Sequence, residues 1–303
     1  MTILKTVKLL PIILIFAISL VSCSSSDSQQ DIAKVDADSS MNNMNNGKLE
    51  KVQEIFYTIP SPMEMASLLK KAGTSYNAKN LNNVNNVVKY TSAKKQALNL
   101  GIYGADLSYA SIFNQNQESI IYLSCAKQLA DQLGVTNAFN SETMDRIETN
   151  IENRDSLLEI ISDAFYTIDG YLKENNRQNI SALVITGGWI EGLYLATKIS
   201  SESKSAPEEL KKRIADQKYS LGDLLLLIDS YPADEGLTDV RKDLSSLQDI
   251  YSQIELYRES GDVTTDEATG TVVIGGASSS NMTDAQLNLI AAKVKEIRTT
   301  YIN

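Results

Sequence analysis

Histidine is absent from this chain. That one absence removes the Ser-His-Asp and Cys-His nucleophile systems, the imidazole general base and every histidine-ligated zinc site. Cysteine occurs twice and tryptophan once. Basic residues are also in short supply, 28 Lys and Arg against 38 Asp and Glu, for a net charge of -10. An acidic surface repels phosphate backbones, and the basic residues are scattered, so nucleic acid is excluded as a partner. The longest basic run, Lys211, Lys212 and Arg213, reads as a solvated turn of a helix. What is present is ordinary globular material: 43% hydrophobic and 22% charged residues over 303 positions, which excludes wholesale disorder.

The first 22 residues read as an address. Lys5 and Lys8 form a basic start, and Leu9 to Leu20 is an apolar run too short to span a bilayer as a helix but suited to a secretory signal. Leu20, Val21, Ser22 and Cys23 follow it and resemble the bacterial lipobox. The resemblance implies cleavage before Cys23 and acylation of its thiol. Several acyl chains on one cysteine anchor far more firmly than one, because each buried methylene adds about 0.8 kcal/mol. Ser24, in place of an Asp that would retain the protein at the inner membrane, implies delivery to the outer membrane. The expected address is therefore the periplasmic side of the cell envelope, with exposure on the cell surface as the alternative.

Removal of the signal leaves Cys125 and the anchor thiol, so no disulfide is expected within the folded domain. Cys125 sits in the apolar run Ile120 to Ala126, the setting of a buried, inert thiol. From Cys23 to Gly47 the chain is rich in Ser, Asp, Gln and Asn and has little to bury, as expected of a flexible tether reaching about 25 to 30 Å.

Residues 48–303 read at helical period almost throughout. A short helix is expected from Leu49 to Ile59, stopped by Pro60, and the Ser61-Pro62-Met63-Glu64 capping box opens the next. Further helices are expected over Thr91–Phe113 and Glu118–Leu133, the latter capped by Gly134. Between them and the first two, Leu81 to Asn86 reads as a loop or frayed helix start. One long helix is expected along the seam Met144, Ile147, Ile151, Arg154, Leu158, Ile161, Phe165, Ile168 and Leu172, with Asp163, Tyr166 and Asp169 on its solvated face.

A second capping box, Ser205 to Glu208, precedes a helix ending at Tyr231 and Pro232, and Leu244 to Tyr257 continues the pattern. Thr283 and Gln286 cap a last helix with the seam Leu287, Ile290, Val294, Ile297 and Tyr301. Only Thr271 to Ile274 has strand character, and a single such run makes no sheet. The expected fold is all-α: one domain, an antiparallel bundle of about nine or ten helices behind a signal and a flexible tether.

The segment Gln178 to Thr197 has a single charge, Glu191, and is apolar on every side, so it is expected to be the central helix. A membrane span is the competing reading, opposed by the carboxylate at its middle. Its small residues Gly188, Gly192 and Ala196 match Ala97, Gly101, Ala105 and Ser108 on an earlier helix, and the two are expected to cross closely. Those same helices carry the candidate polar site: Asp106 and Glu191 facing inward, with Tyr103, Tyr109, Tyr194 and Trp189 as donors. Buried carboxylates without partners would be candidate acids, bases or ligands; with partners they form a structural network. No metal motif or cofactor motif accompanies them. Asp155-Ser156-Leu157 resembles a bacterial O-glycosylation acceptor, against which its helical position speaks.

The lipobox, the Asn-rich tether and the run Gly187 to Tyr194 together resemble a lipoprotein family of Bacteroidota, and that resemblance brings no activity with it. Two other helical lipoprotein classes fit less well. SusD-like glycan binders are longer and use aromatic platforms, for which one Trp is little material. Imelysin-like proteins carry a histidine motif that cannot exist here. The expected function is a lipid-anchored, non-enzymatic helical module that binds an envelope protein or small ligand. The alternatives are a carboxylate-based enzyme or metal-binding protein using Asp106 and Glu191, and a glycan-binding lipoprotein.

Overall fold

The structure is a computed structural model. It describes residues 75–202, 208–232, 234–258, 263–266, 271–274 and 278–303, together with Ala66, Leu69 and Lys70. The chain divides into two units, Met1–Gly47 and Lys48–Asn303. The signal, Cys23, the tether, the expected helix from Leu49 to Ile59 and both proline-containing capping boxes lie outside the described residues or depend on residues that do.

The described residues form a multi-helix bundle with eight α-helices: α1 Ala93–Ile112, α2 Asn116–Gln132, α3 Ser141–Thr149, α4 Arg154–Glu174, α5 Gln178–Glu202, α6 Glu208–Asp229, α7 Glu235–Tyr251 and α8 Asp284–Ile302. Their starts follow capping chemistry. Ser92, Asn140, Asn153, Asp234 and Thr283 each accept a bond from a backbone N–H of the first turn. Thr283 and Gln286 form the full reciprocal capping box.

The turns out of α1, α2 and α4 share one device. Asn114, Gly134 and Asn176 adopt φ of 57°, 75° and 56°, and the next N–H bonds back to the carbonyls of Ala110, Ala130 and Leu172. Gly134 was legible as a cap. The two asparagines do the same work because Asn is the side chain that best tolerates the left-handed region after Gly.

The long helix expected from Met144 to Leu172 is two helices. Asn150 ends α3 and Asn153 starts α4 by accepting from Ser156 N–H at 3.2 Å, so Arg154 begins a helix instead of interrupting one. Ile147, Leu158, Ile161, Ile168 and Leu172 are nevertheless buried, because the four-residue break happens to preserve the period. Asp163 and Tyr166 are exposed as expected, but Asp169 is not on a solvated face: it accepts from Ser181 Oγ at 2.5 Å and pairs with Lys173 at 2.7 Å, tying α4 to α5.

Strand structure is also more than one run. Val263–Asp266 pairs antiparallel with Thr271–Ile274, and Leu256–Arg258 pairs with Ser278–Ser280. Two short ladders on one out-and-back excursion between α7 and α8 explain why periodicity alone saw only the most apolar of the four strands.

Helices α1 and α5 form the centre. From Ala97 to Ile112 every residue of α1 is buried. Helix α5 has mean hydropathy of 1.3 over its most apolar window, enough by length and composition to cross a membrane, yet 94% of that window is buried inside the protein. The two helices touch backbone to backbone. A Cβ on Gly101 would lie 1.9 Å from the Val184 carbonyl oxygen, and one on Gly187 would lie 1.9 Å from that of Leu98. The crossing expected from the small residues therefore exists, centred on Gly101, Gly187 and Gly188; Gly187 was not among the residues read as the stripe. Gly104 instead receives the ring of Phe165 from α4.

Candidate functional site

One turn beyond the glycine crossing, α1 supplies Asp106 and α5 supplies Glu191. Both side chains are fully buried, and they face each other. The residue that completes the arrangement comes from the end of the chain. Arg298 on α8, 7% exposed, forms a two-pronged ion pair with Glu191: Nε donates to Oε2 at 2.5 Å and Nη2 donates to Oε1 at 2.8 Å. Its guanidinium also lies 4.1 Å from the centre of the Tyr194 ring, a cation–π contact one turn along α5 from Glu191.

The cluster is roofed by an irregular strap, Asn77–Tyr90, built from two short 3-10 turns, Ala78–Asn80 and Val84–Lys89. The Asn-rich run that read as a loop is in part buried: Asn80 and Asn82 are 3% and 1% exposed. Asn82 is the hinge pin. Its N–H donates to Asp106 Oδ2 at 3.1 Å, its carbonyl accepts from Tyr122 Oη at 3.2 Å, and its side chain donates to Tyr90 Oη at 3.0 Å. Arg298 Nη2 also donates to the Asn80 carbonyl at 3.3 Å, and Tyr90 Oη donates to the Ile302 carbonyl at 3.2 Å. The strap is thus held from below by α1 and α2 and from the side by α8.

Of the expected donors, only Tyr194 meets the carboxylate cluster directly. Tyr103 Oη donates to the Asn83 carbonyl at 2.9 Å, and Tyr109 Oη accepts from Asn77 N–H at 3.3 Å, so both serve the strap. Trp189 points away and donates from Nε1 to Gln217 Oε1 on α6 at 3.0 Å. Arg298 was missed. Its signal was present: it lies four residues after Val294 and eight after Ile290, on the widened buried face of α8.

Electrostatically the cluster has one cation for two carboxyl groups. Burial, and then the neighbouring Glu191 carboxylate, push Asp106 well above the usual carboxylate range, while Arg298 and the Asn82 N–H act the other way. Burial alone would lower Arg298, but Glu191 and Asp106 outweigh it and hold the guanidinium charged. Burial raises Tyr103 and Tyr122 above the ordinary phenol range. Cys125 Sγ faces the Val84 carbonyl at 3.9 Å, and burial pushes its thiol up to about 11, the behaviour of an inert cysteine.

No protein-family model matches the chain. No match to it is found among curated proteins or among solved structures either. The chemistry must be read from the residues alone. Among the described residues no three of His, Cys, Asp and Glu cluster as metal ligands. Two surface hollows lie elsewhere, one along α3 lined by Glu142, Asp145 and Arg146, the other between Glu208, Lys211, Ser279 and Asp284 at the starts of α6 and α8. Asp106 and Glu191 are both fully buried, and Glu191 is committed to Arg298. The Glu191–Arg298 pair joins α5 to α8 inside the core.

Proposed function

We propose that the protein is a lipid-anchored lipoprotein of the cell envelope whose helical domain works as a non-enzymatic binding or scaffolding module. The observation that carries the anchor is Leu20-Val21-Ser22-Cys23 directly after a basic start and an apolar run. The observation that favours a non-enzymatic domain is the sealing of the candidate acid–base pair on its central helices. Asp106 and Glu191 are fully buried, and the second is in a two-pronged pair with Arg298. The absence of histidine points the same way.

The anchor is tested by growing cells with a fatty-acid probe and fractionating the envelope. The expected result is a labelled, membrane-bound chain that becomes unlabelled and soluble on Cys23→Ser. Equal labelling of the two would overturn it. The binding role is tested by recovering the protein from purified outer membranes after cross-linking. Recovery with a defined partner or ligand supports it, and recovery of the protein alone counts against it.

A further inference from the structure

The polar cluster is one hydrogen short. Arg298 gives two bonds to Glu191 and a third to the Asn80 carbonyl. Asp106 receives one neutral bond, from Asn82 N–H to Oδ2, and its other oxygen, Oδ1, is buried with no donor among the described residues. Glu191, equally buried, is the neighbouring group that after burial does most to raise Asp106. Two ionised carboxylates cannot hydrogen-bond, since each only accepts. A buried, unpaired oxygen is destabilising, and more so when it carries charge. One proton between the two groups removes both problems.

We propose that Asp106 is held as the neutral acid, that its Oδ1–H is donated to Glu191, and that this trapped proton is an alkaline-sensitive latch on the strap Asn77–Tyr90 and on α8. The balance is simple. In the closed state Asp106 carries the proton, Glu191 the negative charge and Arg298 the positive charge, so the cluster is neutral. Hydroxide removes the Asp106 proton as water and leaves two carboxylates against one guanidinium, a net buried negative charge. Relief comes from admitting water, and the element that can yield is the strap, which has no regular helix or sheet ladder of its own.

The groups facing Asp106 cannot take over the proton's role. Glu191 comes from α5, Arg298 from α8, Tyr103 from α1, Tyr122 and Cys125 from α2, and Tyr76 from just ahead of the strap. The phenols and the thiol are themselves raised by burial, which disfavours their charged forms. Tyr90, on the strap itself, is raised for the same reason.

The sign of the pH effect follows. A group whose folded pKa is raised stabilises fully below its unfolded pKa, 3.8 for an ordinary Asp, and loses that contribution as pH rises toward the folded value. Across that window the wild type loses about tenfold in its folding equilibrium constant per pH unit, relative to a variant that cannot ionise. Asp106→Asn is that variant: it keeps the shape, its carbonyl accepts from Asn82 N–H, and its amide donates to Glu191.

The test measures denaturant unfolding of wild type and Asp106→Asn from about pH 5 to about pH 9, with infrared spectra and amide exchange of the strap at each end. Three results are expected. The ratio of the two folding constants climbs with pH, a carboxylic-acid carbonyl stretch is present in wild type and missing from Asp106→Asn, and Asn82 N–H exchange accelerates at alkaline pH more in wild type than in the variant. Parallel stability profiles, or no acid stretch, would overturn the trapped proton. Unchanged strap exchange beside a titrating acid would overturn the latch. Should Asp106→Asn not fold, wild type alone decides: an acid stretch that bleaches with alkali as strap exchange rises supports the proposal, and no such stretch refutes it.

Discussion

The close crossing of α1 and α5 makes one substitution act with opposite signs at different places. Replacing a helical glycine by alanine gains about 0.5 to 1 kcal/mol of intrinsic helix stability where there is room. Gly170 in α4 and Gly222 in α6 have such room, since a Cβ on either would meet nothing within 4 Å. At Gly101 the same methyl would sit 1.9 Å from the Val184 carbonyl oxygen and 2.6 Å from the Gly188 nitrogen. Both are backbone atoms, so no rotamer change relieves the clash and the helices must separate.

Separation forfeits packing between two helices that are buried along most of their length, which puts the cost at the top of the usual overpacking range of about 1 to 3 kcal/mol. Gly187→Ala, 1.9 Å from the Leu98 oxygen, is expected to cost a similar amount. The assay is urea unfolding followed by circular dichroism, with the four variants side by side. Gly170→Ala and Gly222→Ala should move the midpoint up, and Gly101→Ala and Gly187→Ala should move it down by several times as much. A neutral Gly101→Ala would refute the backbone contact on which the placement of Asp106 and Glu191 rests.

Three further outcomes are expected. Native protein should leave Cys125 unmodified by a thiol reagent at neutral pH, because the thiol is buried and raised to about 11, and should react at the rate of unfolding once denaturant is added; fast native labelling would contradict its burial. Thr283→Ala removes the side-chain half of the α8 capping box, the bond that Thr283 Oγ1 accepts from Gln286 N–H, and should cost about 1 kcal/mol in the same unfolding assay. Arg241→Ala, which breaks an exposed pair with Asp229, should change stability by less than about 1 kcal/mol and lose even that in high salt.

Much of the bundle was written in local pattern. The seam of α8, Leu287, Ile290, Val294, Ile297 and Tyr301, is buried at every position, and its capping box is where Thr283 and Gln286 imply it. Helix α5 and the inward placement of Asp106 and Glu191 follow equally from a lone charge in an apolar stretch. Failures arose where two structures share one period. Asn150 and Asn153 break a helix without breaking the spacing of its apolar residues, so only their capping ability distinguishes two helices from one.

The site was half legible. Its carboxylates are adjacent to glycines that announce a close crossing, but Arg298 lies 107 residues beyond Glu191, and no local signal links them. The strap was the least readable part. Asn80 and Asn82 are buried by bonds to groups on α1, α2 and α8, and a polar run carries no mark of such distant partners.

The account rests on Glu191 and Arg298 being a structural pair that closes the core, and a double-mutant cycle on that pair tests it most directly. Arg298→Met leaves the buried Glu191 charge unpaired and removes the donor to the Asn80 carbonyl; Glu191→Gln leaves the guanidinium without its counter-ion. Each should cost about 3 to 5 kcal/mol in unfolding free energy. The double variant buries no isolated charge, so it should cost far less than the two single changes together, with a coupling of about 2 kcal/mol or more. Costs that add to within about 0.5 kcal/mol would contradict the pairing, and with it the structural role assigned to the buried carboxylates.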